Sequence, residues 1–252
     1  MPRIISLRLA AACALVAALS LTIVAGAAAK GFSADLRVVG AGGKILAEKT
    51  VKTGAISVKT SPKATCFGPG TGGSGDPAAV KADTALGLLA RGAKSTPPLN
   101  PLSISDSFDF GLALCGIGSS VAKGGTSWYL KVNHKGAMVS ADTAKIKAGD
   151  EVLFALAESD PKTYAYPEEL SLVAPAKASA GKAFTVTAYS YDEKGKRKPA
   201  AGVKVTGAAG LTAANGKTTV TVTKPRFLTA TKGDLIPDRA AVCLGAKCPA
   251  GS

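Results

Sequence analysis

The feature that most constrains this chain is its punctuation: 29 glycines and 14 prolines spread through 252 residues. Proline removes a helical hydrogen bond and glycine costs about 1 kcal/mol in a helix interior, so few stretches are left that can hold a long helix. A helical bundle is therefore excluded, and short strands joined by turns are expected. Disorder is excluded as well, because the chain is 46% hydrophobic and only 19% charged and has the apolar material to build a core. The length suits one large domain or two small ones.

The first residues read as an address. Arg3 and Arg8 precede an apolar run over residues 9–24, and the small residues Ala25, Gly26, Ala27, Ala28 and Ala29 follow. That is the pattern of a secretory signal peptide over residues 1–29, with A-x-A frames that place cleavage after Ala27 or Ala29. The run is shorter than the roughly 20 residues a bilayer span needs. The expectation is a secreted, extracellular protein with no stable membrane insertion after cleavage.

The net charge of +14 is spread along the chain. Nucleic-acid readers cluster arginine and interleave aromatic residues, which this sequence does not do, so no nucleic-acid partner is expected. The densest basic run, Lys194, Lys196, Arg197 and Lys198, follows Tyr191-Asp192-Glu193 and reads as a solvated hairpin tip. An exported basic protein is instead attracted to anionic cell-envelope polymers.

Two β-rich units follow from the pattern. Residues 35–39 and 45–51 flank a glycine-rich hairpin, and residues 55–60 alternate apolar and polar as a further strand does. Residues 84–91 are the one good helix candidate, with Asp83 placed to cap it. In residues 127–136, Trp128, Leu130 and Val132 share one face of a strand and Tyr129 and Lys131 the other. Asn133 and Gly136 then favour a turn, and residues 151–156 form a closing strand. Residues 161–167, rich in proline and tyrosine, read as a stiff linker. Beyond it five or more short strands and an Asn215-Gly216 hairpin signal indicate a β-sandwich.

Cys66, Cys115, Cys243 and Cys248 survive signal cleavage. Four cysteines allow three pairings, and the two-unit division selects Cys66–Cys115 and Cys243–Cys248. The first would close a loop of about 50 residues and stabilise by about 4 kcal/mol, the second by about 2 kcal/mol. A zinc site would need closer cysteine pairs or additional histidine, so no metal and no cofactor are expected. His134 is the only histidine, a turn residue without a nucleophile to serve. The carboxylate pairs Asp150-Glu151, Glu168-Glu169 and Asp192-Glu193 lie at turns, where hydration explains them. No catalytic residues are indicated, and the protein is not expected to be an enzyme.

The residues Trp128, Tyr129, Val132 and Asn133, followed by Gly149, Asp150, Glu151 and Val152, resemble the DUF4430 family, the transcobalamin-like C-terminal domain, over residues 33–158. The resemblance implies a β-grasp-like α+β domain, and in the vitamin B12 carriers the related domain closes over the bound corrinoid. His134 stands where many members have glycine, and the Cys66–Cys115 segment is an elaboration. The large helical partner domain of the carriers has no counterpart in these residues. Pro199, Gly202, Val203 and Val205, then Asn215-Gly216, then Leu228 and Ala230 resemble bacterial Ig-like or transthyretin-like modules.

The expectation is thus a mainly β protein. A β-grasp-like α+β domain (33–158), a linker (159–168) and an Ig-like β-sandwich (169–252) follow the signal. Its function is expected to be non-catalytic binding of a small molecule or surface polymer, with contact residues Tyr129, Asn133, His134 and Lys135. The alternative is a structural or adhesive envelope protein with no dedicated pocket. Trp128 is expected in the core.

Overall fold

The computed structural model describes residues 31–250. Residues 1–29, read from the sequence as a signal peptide, lie outside the described residues. The structure is mainly β, with one α-helix among the described residues. The first half contains β1 (Ser33–Val39), β2 (Ile45–Lys52), β3 (Ile56–Lys59), β4 (Pro77–Val80), α1 (Ala85–Ala93) and β5 (Leu102–Ser105). It continues with β6 (Ala113–Ile117), β7 (Ser120–Val121), β8 (Thr126–Val132), β9 (Lys135–Gly136) and β10 (Glu151–Glu158). The second half holds β11 (Glu169–Val173), β12 (Lys177–Ala178), β13 (Ala183–Tyr191) and β14 (Arg197–Pro199). It ends with β15 (Lys204–Val205), β16 (Lys217–Thr221), β17 (Arg226–Thr231) and β18 (Asp238–Leu244).

The main sheet of the first half has the order β2-β1-β10-β8-β9. Its two central strands, β1 and β10, run parallel, with Leu36 opposite Val152 and Val38 opposite Phe154. Strand alternation divides their side chains between two faces. Leu36, Val38, Leu130, Val152 and Phe154 pack on one face with Leu86, Leu88 and Leu89 of α1. Each of these buried helix leucines contributes about 1.5–3 kcal/mol. On the opposite face Val39, Tyr129, Leu153 and Ala155 meet Ile236 of the second half. Arg37 and Lys131 lie on that same face by alternation, and both are buried.

α1 begins one residue later than the cap read from sequence. Thr84, not Asp83, is the N-cap: its Oγ1 accepts from the Gly87 N–H at 3.2 Å. A capping oxygen must reach the N–H two or three residues on, and Thr84 has the extended backbone this needs. Asp83 instead accepts from Lys145 Nζ at 2.7 Å. Gly87 is required inside the helix because a Cβ there would sit 2.3 Å from the Lys81 carbonyl oxygen.

In the second half, β11, β14 and β16 all pair with β13, and β12-β18-β17-β15 make a second sheet. The two sheets share one core of residues such as Leu170, Leu172, Val186, Ala188, Leu228 and Val242. Asp192 organises the basic hairpin tip, its Oδ1 accepting from the N–H groups of Lys194 and Lys196. The cysteine pairs Cys66–Cys115 and Cys243–Cys248 lie at disulfide distance, with Cα separations of 4.5 and 4.2 Å.

Candidate functional site

The turn expected to carry ligand contacts is a two-residue hairpin loop, with Val132 opposite Lys135 and Lys131 opposite Gly136. Its positive-φ residues are Asn133 (49°) and His134 (68°). Gly136 pairs in β9 rather than turning the chain, which corrects the expectation for that position. A two-residue hairpin loop of the type that matches strand twist needs positive φ at both loop positions, and here histidine fills the second.

The polar groups of this turn are engaged within the protein. The Asn133 side chain donates to Asp150 Oδ1 at 2.8 Å and accepts from the Glu151 N–H at 3.0 Å. His134 is hydrogen-bonded through Nδ1 to Glu169 and stacked on Tyr191, with ring centroids 3.7 Å apart. The backbone of Lys135 bridges that of Lys194, and the Gly136 N–H donates to the Glu193 carbonyl at 2.9 Å. Asn133 and Lys135 stay exposed, while Tyr129 is buried and stacked on Tyr166 at 4.2 Å. The turn thus meets the second half of the chain through His134 and the backbone of Lys135 and Gly136, with the side chains of Asn133 and Lys135 left at the surface.

Beneath it is a buried charged cluster that the sequence reading passed over. Arg37 donates to Asp238 at 2.7 Å, the Leu170 carbonyl at 2.9 Å and Glu151 at 3.1 Å, and lies 3.6 Å from Glu169. Lys131 Nζ lies 3.4 Å from Glu169 and donates to the Asp192 carbonyl at 2.9 Å. Burial works against the Arg37 charge, but Asp238, Glu151 and Glu169 outweigh it and raise the pKa of the guanidinium further. Burial lowers the Lys131 pKa. For Glu169 burial is overcome by the His134 hydrogen bond and the charges of Arg37 and Lys131, so its carboxyl is held low. Burial and the neighbouring Asp238 charge push Glu48 up to about 9, leaving it neutral around pH 7.

Donor atoms of His134, Glu151 and Glu169 all lie within 4.8 Å of one another. They do not converge as metal ligands do. Nδ1 of His134 faces Glu169 while Nε2 faces Glu151 at 3.7 Å. Both carboxylates already carry cationic partners, Arg37 and Lys131. The chemistry of this cluster is ion pairing across two halves of the chain.

An apolar groove lies away from this cluster, beside β8. A groove of about 730 Å³ is walled by Phe110, Leu112, Trp128, Leu130, Met138 and Phe154 on one side. Tyr129, Tyr164, Tyr166 and Glu193 close it on the other. Trp128 packs against the first core only in part. Its Nε1 is buried without a hydrogen-bond partner among the described residues, and so is the Tyr129 hydroxyl. Burial and the nearby Glu193 charge raise the Tyr129 pKa, so the phenol is a neutral donor. Leaving such donors unpaired costs about 1–3 kcal/mol each. Phe67, Phe110, Met138, Val139 and Tyr164 are exposed along the rim. Among the described residues no lysine or arginine lines the groove.

Of the expected site residues, then, the groove takes Tyr129, the junction with the second half takes His134 and Lys135, and Asn133 is held by Asp150 and Glu151 of its own half. Trp128, read as core, is shared between core and groove. Phe110, Met138, Tyr164 and Tyr166 were not read from the sequence as site residues. Their one local signal is the number of large apolar side chains in loop segments. No family model, no curated protein and no solved structure matches this chain.

Proposed function

We propose that this chain is an exported, non-catalytic binding protein whose ligand seat is the apolar groove beside β8. One observation carries the reading. Two buried polar donors, Trp128 Nε1–H and the Tyr129 hydroxyl, stand unpartnered in an aromatic-walled cavity of ligand size. In a chain of net charge +14, the absence of any basic side chain from the lining favours an uncharged ligand over an anionic polymer. Two cysteine pairs at disulfide distance support an oxidising, extracellular location.

The architecture assigned to this protein is a β-grasp-like head (33–158), a connection (159–168) and an Ig-like sandwich (169–252). The sheet order with a parallel central pair, and one helix packed on one face, supports the β-grasp reading and with it the resemblance to DUF4430. Two sheets around one core support the sandwich reading. The connection contributes Tyr164 and Tyr166 to the groove, so it serves the site as well as joining the units.

The test is a titration with N-phenyl-1-naphthylamine, an uncharged apolar fluorophore. Its emission should rise with the wild-type protein and stay flat with Phe110→Asp and Met138→Asp. Both residues are exposed, so these variants should keep the wild-type melting temperature. Equal probe binding by wild type and variants would refute the groove as the seat. The exposed aromatic rim also fits an adhesive envelope protein. That reading is favoured if the probe fails to bind while the wild-type protein sediments with cell envelopes and Phe110→Asp does not.

A further inference from the structure

We propose that the occupant of this groove is an extended polypeptide segment, added as a strand to the free edge of β8. The proposal rests on the groove being a binding seat and goes further, to the class of ligand. β8 pairs with β10 along its whole length, Thr126 opposite Glu158 through Val132 opposite Val152. On its other side β9 reaches only Lys131 and Val132, and one more bond follows, from the Ala137 N–H to the Leu130 carbonyl at 2.9 Å. Glu193 and Lys194 then cover β9 itself. On that side the stretch Ser127–Trp128–Tyr129 pairs with no strand among the described residues, although β6 packs nearby.

The direction of its backbone groups follows from the ladder. In an antiparallel pair the N–H and C=O of one residue point to the same side, and successive residues alternate. The Leu130 carbonyl faces outward to Ala137, and the Asn133 N–H faces inward to the Glu151 carbonyl at 2.8 Å. Trp128, two residues before Leu130, therefore turns both its N–H and its C=O into the groove. Neither has a backbone partner among the described residues. Unpaired main-chain groups at a sheet edge are a template for another strand, and Trp128 offers one donor and one acceptor.

The groove also has the shape such a strand needs. Trp128 and Tyr129 lie on opposite faces of the sheet, yet both line the cavity, so the groove wraps around the edge. An added strand sends alternate side chains to opposite faces. One would meet Trp128, Phe110 and Met138, and the next would meet Tyr129, Tyr164 and Tyr166. A compact flat molecule would reach only one of these walls. With Glu193 the one charged side chain in the lining, the segment is apolar and not acidic.

The experiment uses ¹⁵N-labelled mature protein and acetylated, amidated nonapeptides alternating phenylalanine or valine with threonine. Matched peptides carry N-methyl groups at every second residue, in one register or the other. In the free protein the Trp128 N–H should exchange with solvent faster than those of Tyr129 and Lys131, and peptide should slow it. N-methylation in the register facing β8 should weaken binding about tenfold or more, since it removes main-chain hydrogen bonds to the edge. The other register should have little effect. Peptide binding with equal loss in both registers would overturn strand addition and leave the groove reading standing. Binding of 2-acetylnaphthalene, a neutral planar probe, without peptide binding would do the same. Trp128 protection that grows with protein concentration alone would assign the edge to a second copy and overturn the proposal. Failure of both peptide and planar probe would overturn the groove reading together with it.

Discussion

Replacing Arg37 by Met tests whether the two halves of this protein are held as one unit by buried charge. The side chain is 2% exposed and lies within 3.6 Å of Glu151, Glu169 and Asp238, the last two of which belong to the second half. It also holds the Leu170 carbonyl at 2.9 Å. Methionine keeps most of the volume, so packing changes little and the loss is electrostatic. Removing one partner from a buried ion pair costs about 3–5 kcal/mol, because the remaining charges stay buried and uncompensated. For a chain of this size each kcal/mol shifts the midpoint by about 2–4 °C, giving a fall of about 6–20 °C. Differential scanning calorimetry is the assay, and the single wild-type transition should divide as the halves uncouple. Trypsin should cut the variant at Lys162, in the exposed connection, faster than it cuts wild type. Adding Asp238→Asn to Arg37→Met should recover part of the loss. An unchanged midpoint and a single transition in Arg37→Met would refute the reasoning. The cluster would then be a satisfied surface network of little consequence.

Three further outcomes follow, two from the structure and one from the sequence. The Glu48 carboxyl is raised to about 9 in the folded protein by burial and by Asp238, so its contribution is fully present below the ordinary carboxylate range. It is lost as pH climbs toward 9, with a slope of at most about 1.4 kcal/mol per pH unit. Glu48→Gln should therefore become progressively more stable than wild type from pH 5 to pH 9, and a pH-independent difference in urea midpoints would contradict this. Replacing Cys66 and Cys115 by serine should cost about 4 kcal/mol, against about 2 kcal/mol for Cys243 and Cys248; equal losses would argue against loop closure as the source. N-terminal sequencing of protein from the growth medium should begin at Ala28 or Lys30, and a chain beginning at Met1 would rule out signal cleavage.

Local alternation and capping chemistry made the longer strands and the helix legible in the sequence, and the cysteines lie in the pairs that the division into two β-rich units selects. Alternation in residues 35–39 and 127–132 is a property of the pleat. Trp128, Leu130 and Val132 do share a face that packs on the first core. The division of four cysteines between two β-rich segments leaves one pair in each, and those pairs lie at bonding distance. Even the helix start was legible to within one residue, Thr84 taking the role expected of Asp83.

What only the tertiary structure decided is the fate of the other face of that sheet. Arg37 and Lys131 read locally as the solvated side of amphipathic strands. Arg37 is buried because Leu170 and Asp238, 133 and 201 residues away, fold over it, and Lys131 because Glu169 and Asp192 do. Glu168 and Glu169 are indistinguishable in sequence, yet the first pairs with exposed Lys198 and the second is wholly buried beside His134. Strand alternation sends adjacent residues to opposite faces, but it does not say which face another part of the chain will cover. The same limit applies to the groove, whose walls come from segments as far apart as Phe67, Trp128 and Glu193. A cavity is a relation among distant segments, and no window of sequence contains it.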